Sequence, residues 1–158
     1  MSEELSSLKK MVLFTYLNEE ELKAVREIIT EVDYMADKSV FEESQDGHTL
    51  YLIKSGEVKV TKKDPEGTEQ VLALLKEGDI FGEMSFLDGR PHSATVVAVH
   101  STRILQIEKG KFDEFVDSHP KAAYKIMKTI VIQVDAIVRR MNTNYVDMLS
   151  YMFGRRRF

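Results

Sequence analysis

The sequence predicts a mainly β domain flanked by helices, and three observations carry that expectation. Turn-forming residues punctuate the middle of the chain at intervals of about 9 to 11 positions, the rhythm of short strands in a sandwich or barrel. Between the turns lie short runs of aliphatic and β-branched residues, some alternating with polar ones. From Pro120 onward the pattern changes, and apolar residues recur in steps of three and four, as on a helix.

Taken in order, the first element is a helix over about residues 19–30. Asn18 suits its N-cap, Glu21 its third position, and Leu17 is spaced to staple to Leu22, with Val25 and Ile29 continuing the same face. The turns that follow are Asp37-Lys38, Asp46-Gly47, Ser55-Gly56, Asp64-Pro65-Glu66-Gly67, Glu77-Gly78-Asp79, Asp88-Gly89-Arg90-Pro91, His100-Ser101 and Lys109-Gly110. They bound about eight strands. Val58 to Lys62 alternates as a half-buried strand, whereas Val71 to Leu75 and Thr95 to Val99 are apolar on both faces and read as central. Lys111 to Asp117 forms a short helix, and Pro120 opens a long one whose apolar positions are Met127, Ile130, Val134, Ile137, Met141, Tyr145, Met148 and Met152. A helix over 120–153 extends on the order of 50 Å at 1.5 Å per residue, more than a small domain covers. A second copy of the chain, giving a homodimer through residues 120–152, is the simplest cover for the rest. The alternative is that only its first half is packed.

Composition narrows the function. The chain has 158 residues, 43% hydrophobic and 30% charged, which suits one domain with its own core. With no cysteine there is no disulfide, thiolate nucleophile or cysteine metal site. The acidic N-terminus and the lack of an apolar run approaching the roughly 20 residues of a membrane span argue against a signal peptide or transmembrane segment, so a cytoplasmic location is expected. Charge is asymmetric. Residues 1–120 hold 14 Lys and Arg against 24 Asp and Glu, and residues 121–158 hold 8 against 2. The acidic body is unsuited to lying on DNA. His48, His92, His100 and His119 sit in different turns without metal-ligand spacing, and the serine-hydrolase elbow, the Walker phosphate loop and the dinucleotide fingerprint are absent. No enzyme, metal or cofactor is expected.

Residues 78–97, Gly-Asp-Ile-Phe-Gly-Glu-Met-Ser-Phe-Leu-Asp-Gly-Arg-Pro-His-Ser-Ala-Thr-Val-Val, are different. They read as a strand end, a helical turn, a Gly/Pro loop and a return into a central strand. The N–H groups of a helical turn over 83–87 suit an anion, with Arg90 or His92 as the facing base. Glu83 beside an anion needs a reason, and sugar hydroxyls supply one. Phosphate together with ribose means a nucleotide.

This segment resembles the phosphate-binding cassette of cyclic nucleotide-binding domains, Phe-Gly-Glu followed, after a short loop, by Arg, a small residue, Ala, Thr and Val. Leu13-Phe14 and Leu17, Val40-Phe41, and Leu50 to Val60 are similar to flanking parts of that family, so the likeness covers about residues 5–150. It implies an eight-stranded jelly-roll β-barrel with N-terminal helices and a long C-terminal helix. It also implies a single domain over 1–153: helices in 1–30, barrel in 31–108 with the cassette at 81–96, helices in 109–153, then a basic tail at 154–158. The implied ligand is cAMP or cGMP, and the implied site is Phe81, Gly82, Glu83, Met84, Ser85, Arg90, His92, Ser93 and Ala94. Glu83 takes the ribose 2′-hydroxyl, amides near Gly82 to Ser85 and at Ala94 meet the ribose-phosphate, Ser93 donates its hydroxyl, and the base lies against Val71 to Leu74 and the long helix.

Two departures stand out. His92 occupies the position of the family's phosphate-binding arginine, and losing a charge-assisted bidentate contact costs about 1.5–3 kcal/mol, roughly 10- to 150-fold in affinity. Ser44-Gln45 stands where the family has glycine and an acidic residue, removing a permissive backbone position. The helix-turn-helix segment of catabolite-activator regulators does not follow the long helix in this sequence, so no DNA-binding domain is expected. The expectation is a stand-alone sensor signalling through its C-terminal helix to an unknown protein partner. The alternatives are a barrel of the same fold with a degenerate pocket serving as an interaction module, and a surface-associating tail built on Arg155-Arg156-Arg157.

Overall fold

A computed structural model describes residues 1–154, so the basic tail at 154–158 lies outside the described residues except for Gly154. Helices α1 (Glu3–Lys9) and α2 (Glu19–Arg26), with a 3₁₀ turn at Val12–Phe14 between them, precede eight strands. The strands are β1 (Ile29–Tyr34), β2 (Ser39–Phe41), β3 (Thr49–Ser55), β4 (Glu57–Lys63), β5 (Glu69–Lys76), β6 (Ile80–Phe81), β7 (Thr95–Ala98) and β8 (Thr102–Glu108). Helix α3 (Glu83–Asp88) interrupts them, and α4 (Lys109–Ser118) and α5 (Pro120–Gly154) follow.

All strand pairs are antiparallel and form two four-stranded sheets, β1-β8-β3-β6 and β2-β7-β4-β5. The expected strand count holds, but the barrel does not close. Among the described residues no ladder joins the two sheets, because β2 and β6 have only three and two residues, and the turn before β6 is committed to β3 through Gly78 N–H to Ile53 O at 2.9 Å and Ile53 N–H to Asp79 O at 3.0 Å.

Period-two alternation in β3 divides the core. Tyr51 and Ile53 face the second sheet and pack with Phe41, Val58, Phe81, Val96 and Ile104. Leu50 and Leu52 point the other way, into a larger cluster with Phe14, Leu22, Phe112, Phe115 and Ile126 from the helices. The α2 cap forms as expected, with Asn18 Oδ1 accepting from Glu21 N–H at 2.9 Å and Leu17 and Leu22 fully buried. The helix stops at Arg26 rather than near residue 30, because Ile29 to Tyr34 pair with β8 over six residues, and that ladder outweighs local helical periodicity.

Two further expectations change. Strand β4 alternates only as far as Val60, where a bulge opposite β5 turns Thr61 inward and leaves it 2% exposed. Strand β5 is an edge strand rather than a central one, and Val71, Leu72 and Leu74 are each more than half exposed. Helix α5 is buried at Ala122, Ala123, Ile126, Thr129 and Ile130 and pinned to α2 by Lys125 Nζ donating to both Glu21 oxygens at 2.9 and 3.0 Å. Beyond that point Met141, Tyr145, Met148 and Met152 are exposed, so the outer half of the seam is uncovered. No helix among the described residues is long and apolar enough to cross a membrane.

Candidate functional site

A cavity of about 360 Å³ opens between the cassette, β5 and α5. It lies at the low end of the roughly 300–1,000 Å³ typical of small-molecule sites. Of the nine residues implied by the resemblance, eight line it: Phe81, Gly82, Glu83, Met84, Ser85, His92, Ser93 and Ala94. Arg90 does not. Its side chain is 84% exposed and sits 3.6 Å from the Asp88 carboxylate, and its N–H donates to Asp88 Oδ1 at 3.0 Å, so the Asp-Gly-Arg turn directs the guanidinium to solvent.

Local sequence explains the placement of the rest. Gly82 ends β6 and caps α3 in the left-handed region, φ 74°, where a Cβ would come within 2.7 Å of the Tyr51 ring and 3.0 Å of Thr49 O. The turn therefore needs glycine twice over, for its dihedral and for its space. Phe86 N–H bonds back to Gly82 O at 3.0 Å, leaving the N–H groups of Met84 and Ser85 without partners inside the helix. These are the amides that the sequence reading offers to an anion.

Glu83 is mostly withdrawn from water, and burial pushes its carboxyl above the ordinary value, although a hydrogen bond from its own N–H opposes the shift. A desolvated carboxylate at a cavity wall is a strong acceptor for hydroxyl groups.

His92 is not a free loop residue. It is 5% exposed, stacked on Phe41 with ring centroids 3.5 Å apart and planes 8° from parallel, and its Nδ1 lies 3.2 Å from Ser85 Oγ. Gly47 forms the far wall, where an added Cβ would overlap the ring and come within 2.8 Å of Ser85 Cβ. Ser44 N–H donates to His92 O, and His92 N–H to Gln45 O, both at 2.8 Å. Burial, with a smaller contribution from neighbouring His48, holds the imidazole below its ordinary pKa, which favours the neutral form. Ser44 takes the left-handed conformation itself, φ 72°, so the turn closes without the family's glycine.

The base wall is half as expected. Leu72, Ala73 and Leu75 line the cavity, while Val71 and Leu74 do not. Sequence reasoning missed Phe41 as the stacking partner of His92, Gly47 as the slot that admits the ring, and Ile137 and Met141 as the α5 residues that complete the cavity. Both α5 positions belong to the heptad-like seam, and that was the available signal.

The cyclic nucleotide-binding domain profile matches residues 31–119, more than half of the chain and all of the cassette. The chain belongs to this family. It is 30% identical to the cyclic AMP receptor protein of Thermus thermophilus over 95% of this chain and 67% of that one. It is also 24% identical to a CRP-like cAMP-activated global transcriptional regulator of Mycobacterium tuberculosis, over 90% of this chain. The chain spans 62% of the length of that regulator. Among solved structures, a cyclic nucleotide-binding domain from Methylobacillus flagellatus superimposes with a TM-score of 0.82 at 27% identity, covering 91% of this chain and 81% of the other.

Proposed function

We propose that the chain is a cyclic nucleotide-binding regulatory module, not an enzyme, that takes cAMP or cGMP in the cavity and signals through α5. The observation that carries this reading is the convergence, on one cavity, of the Met84 and Ser85 amides, which have no partner inside their helix, a half-buried acceptor at Glu83 and the α5 side chains Ile137 and Met141. Phosphate, ribose and base each have a chemically matched wall. A ligand spanning these walls touches the cassette and the long helix at once, so binding energy is available to shift the helix relative to the sheets.

The phosphate meets amides and the neutral, slotted imidazole rather than a permanent cation. A bound phosphate favours imidazolium, so binding is accompanied by proton uptake and weakens as pH rises. The module is proposed to act as a homodimer in the cytoplasm. The uncovered seam of α5 and the exposed apolar face of β5 support the dimer, and a cysteine-free chain requires no oxidising compartment.

Hydrogen exchange across α5 with and without cAMP or cGMP tests the signalling part: protection is expected to change over 131–154, and unchanged exchange under saturating ligand contradicts it. Sedimentation of Tyr145→Glu with Met148→Glu, both exposed in one copy, tests the dimer, and a double variant that sediments like the parent contradicts it. Ligand-free function as a scaffold is the outcome if neither nucleotide binds.

A further inference from the structure

Independently of what the cavity holds, we infer that the far end of α5 docks on an anionic lipid surface, using residues 146–153 together with the Arg155-Arg156-Arg157 run that follows them in the sequence. Val146, Met148, Leu149, Tyr151, Met152 and Phe153 make most of this stretch apolar or aromatic. All of them except Leu149 are at least half exposed. At about 100° per residue they fall on every side of the helix. A helix end that is apolar all round is suited to being surrounded, not to lying against one neighbour.

A second copy of the chain covers only part of it. The seam proposed for the dimer, Met141, Tyr145, Met148 and Met152, keeps to one face of the helix. Val146 and Phe153 lie away from that face, in one heptad column with Ile132, which is half exposed as well. They need a different cover.

Charge selects which one. Residues 121–158 carry 8 Lys and Arg against 2 Asp and Glu, and the three arginines directly follow the apolar end. The acidic body does not cancel them. Met141 is the outermost α5 residue of the cavity, and from there to Phe153 the helix rises about 18 Å, roughly two Debye lengths at physiological ionic strength. Aromatic rings such as Tyr151 and Phe153 suit the headgroup boundary, and arginine pairs with lipid phosphates and carboxylates there. A nucleic acid would satisfy the arginines but leave the apolar ring in water. No helix among the described residues is long and apolar enough to cross a bilayer, so the end enters the interface without spanning it.

Flotation of the full chain with two kinds of vesicle is the test: phosphatidylcholine alone, and phosphatidylcholine with phosphatidylserine at three to one. The parent is expected to float with the anionic vesicles and to stay behind with the neutral ones. Replacing Arg155, Arg156 and Arg157 by Gln is expected to weaken binding about 100-fold, at roughly 5-fold per arginine. Val146→Gln with Phe153→Gln keeps the charge and the seam, and is expected to weaken binding about 10-fold or more while sedimenting and melting like the parent. A parent that ignores anionic vesicles or binds both kinds equally overturns the inference, as does undiminished binding by either variant. Each of these outcomes leaves the reading of the cavity in place, because nucleotide binding is expected to be the same in the parent and both variants.

Discussion

The two ends of the cavity are built in opposite ways. At the cassette end the side chains brace one another: His92 stacks on Phe41, faces Ser85 Oγ and is tied by backbone bonds to Ser44 and Gln45, while Gly82 is pressed against Tyr51. At the α5 end Ile137 and Met141 complete the cavity and the apolar seam of the helix runs on into solvent. A braced end can recognise what all ligands of a class share, phosphate and sugar under the proposed function, without reorganising. An end closed by a helix whose outer seam is uncovered is where movement costs least.

The largest expected effect comes from replacing the brace. His92→Arg is expected to tighten cyclic-nucleotide binding by about 10- to 150-fold, because a charge-assisted fork replaces a neutral imidazole at the phosphate. The slot between Phe41 and Gly47 has no room for the longer side chain, so the same variant is expected to lose about 1–3 kcal/mol of ligand-free stability by denaturant unfolding. Unchanged affinity shows that this end does not hold phosphate.

Gly47→Ala tests the brace without touching charge. The added methyl overlaps the His92 ring and crowds Ser85, and a loss of about 1–3 kcal/mol is expected from denaturant unfolding. A neutral result places the ring elsewhere in solution. Glu83→Gln is expected to weaken binding by roughly 10-fold, since a charge-assisted hydrogen bond to the ribose becomes a neutral one. Ligand-free stability should rise slightly above neutral pH, where the variant relieves the burial of a carboxylate. Calorimetry and thermal melting check both halves.

Smaller effects follow from pH. Folded His92 is held below its ordinary value of 6.5. As pH falls below that value the unfolded chain takes up a proton that the folded one refuses, so ligand-free stability is expected to fall until the folded pKa is passed. Glu83 acts in the opposite sense, because its raised folded pKa lets the native state gain a proton first. The difference in melting temperature between the parent and His92→Phe, followed from pH 7 to 5, isolates the histidine, and a difference that does not change with pH contradicts its neutral burial. The smallest effect is expected for Ser44→Gly. Relieving a left-handed serine should stabilise by up to about 1 kcal/mol.

Much of this comparison was legible in the sequence, and unevenly so. The cassette could be read because its chemistry is local: Gly82, Glu83 and the Ser-Ala-Thr return lie within about 15 residues, and backbone geometry there demands particular residue types. Asn18, Pro120 and the seam of α5 were equally plain, being signals of cap and period. Strand β5 misled because an apolar run on both faces looks the same whether covered by a neighbouring strand or left exposed at an edge. The end of α2 misled because the β1 ladder that stops it pairs with residues 68 to 78 positions away. The slot of His92 was invisible for the same reason. Phe41 and Gly47 meet the ring only once β2 and β7 pair and the turn after β2 folds back.

The central claim is that the cavity holds a cyclic nucleotide between braced amides and α5. Calorimetric titration of the protein with cAMP and cGMP, in buffers of different ionisation enthalpy near neutral pH, tests it most directly. Saturable heat that varies with the buffer, revealing proton uptake, and affinity that falls as pH is raised are the expected results. Absence of heat and of any thermal shift with either nucleotide at millimolar concentration contradicts the claim.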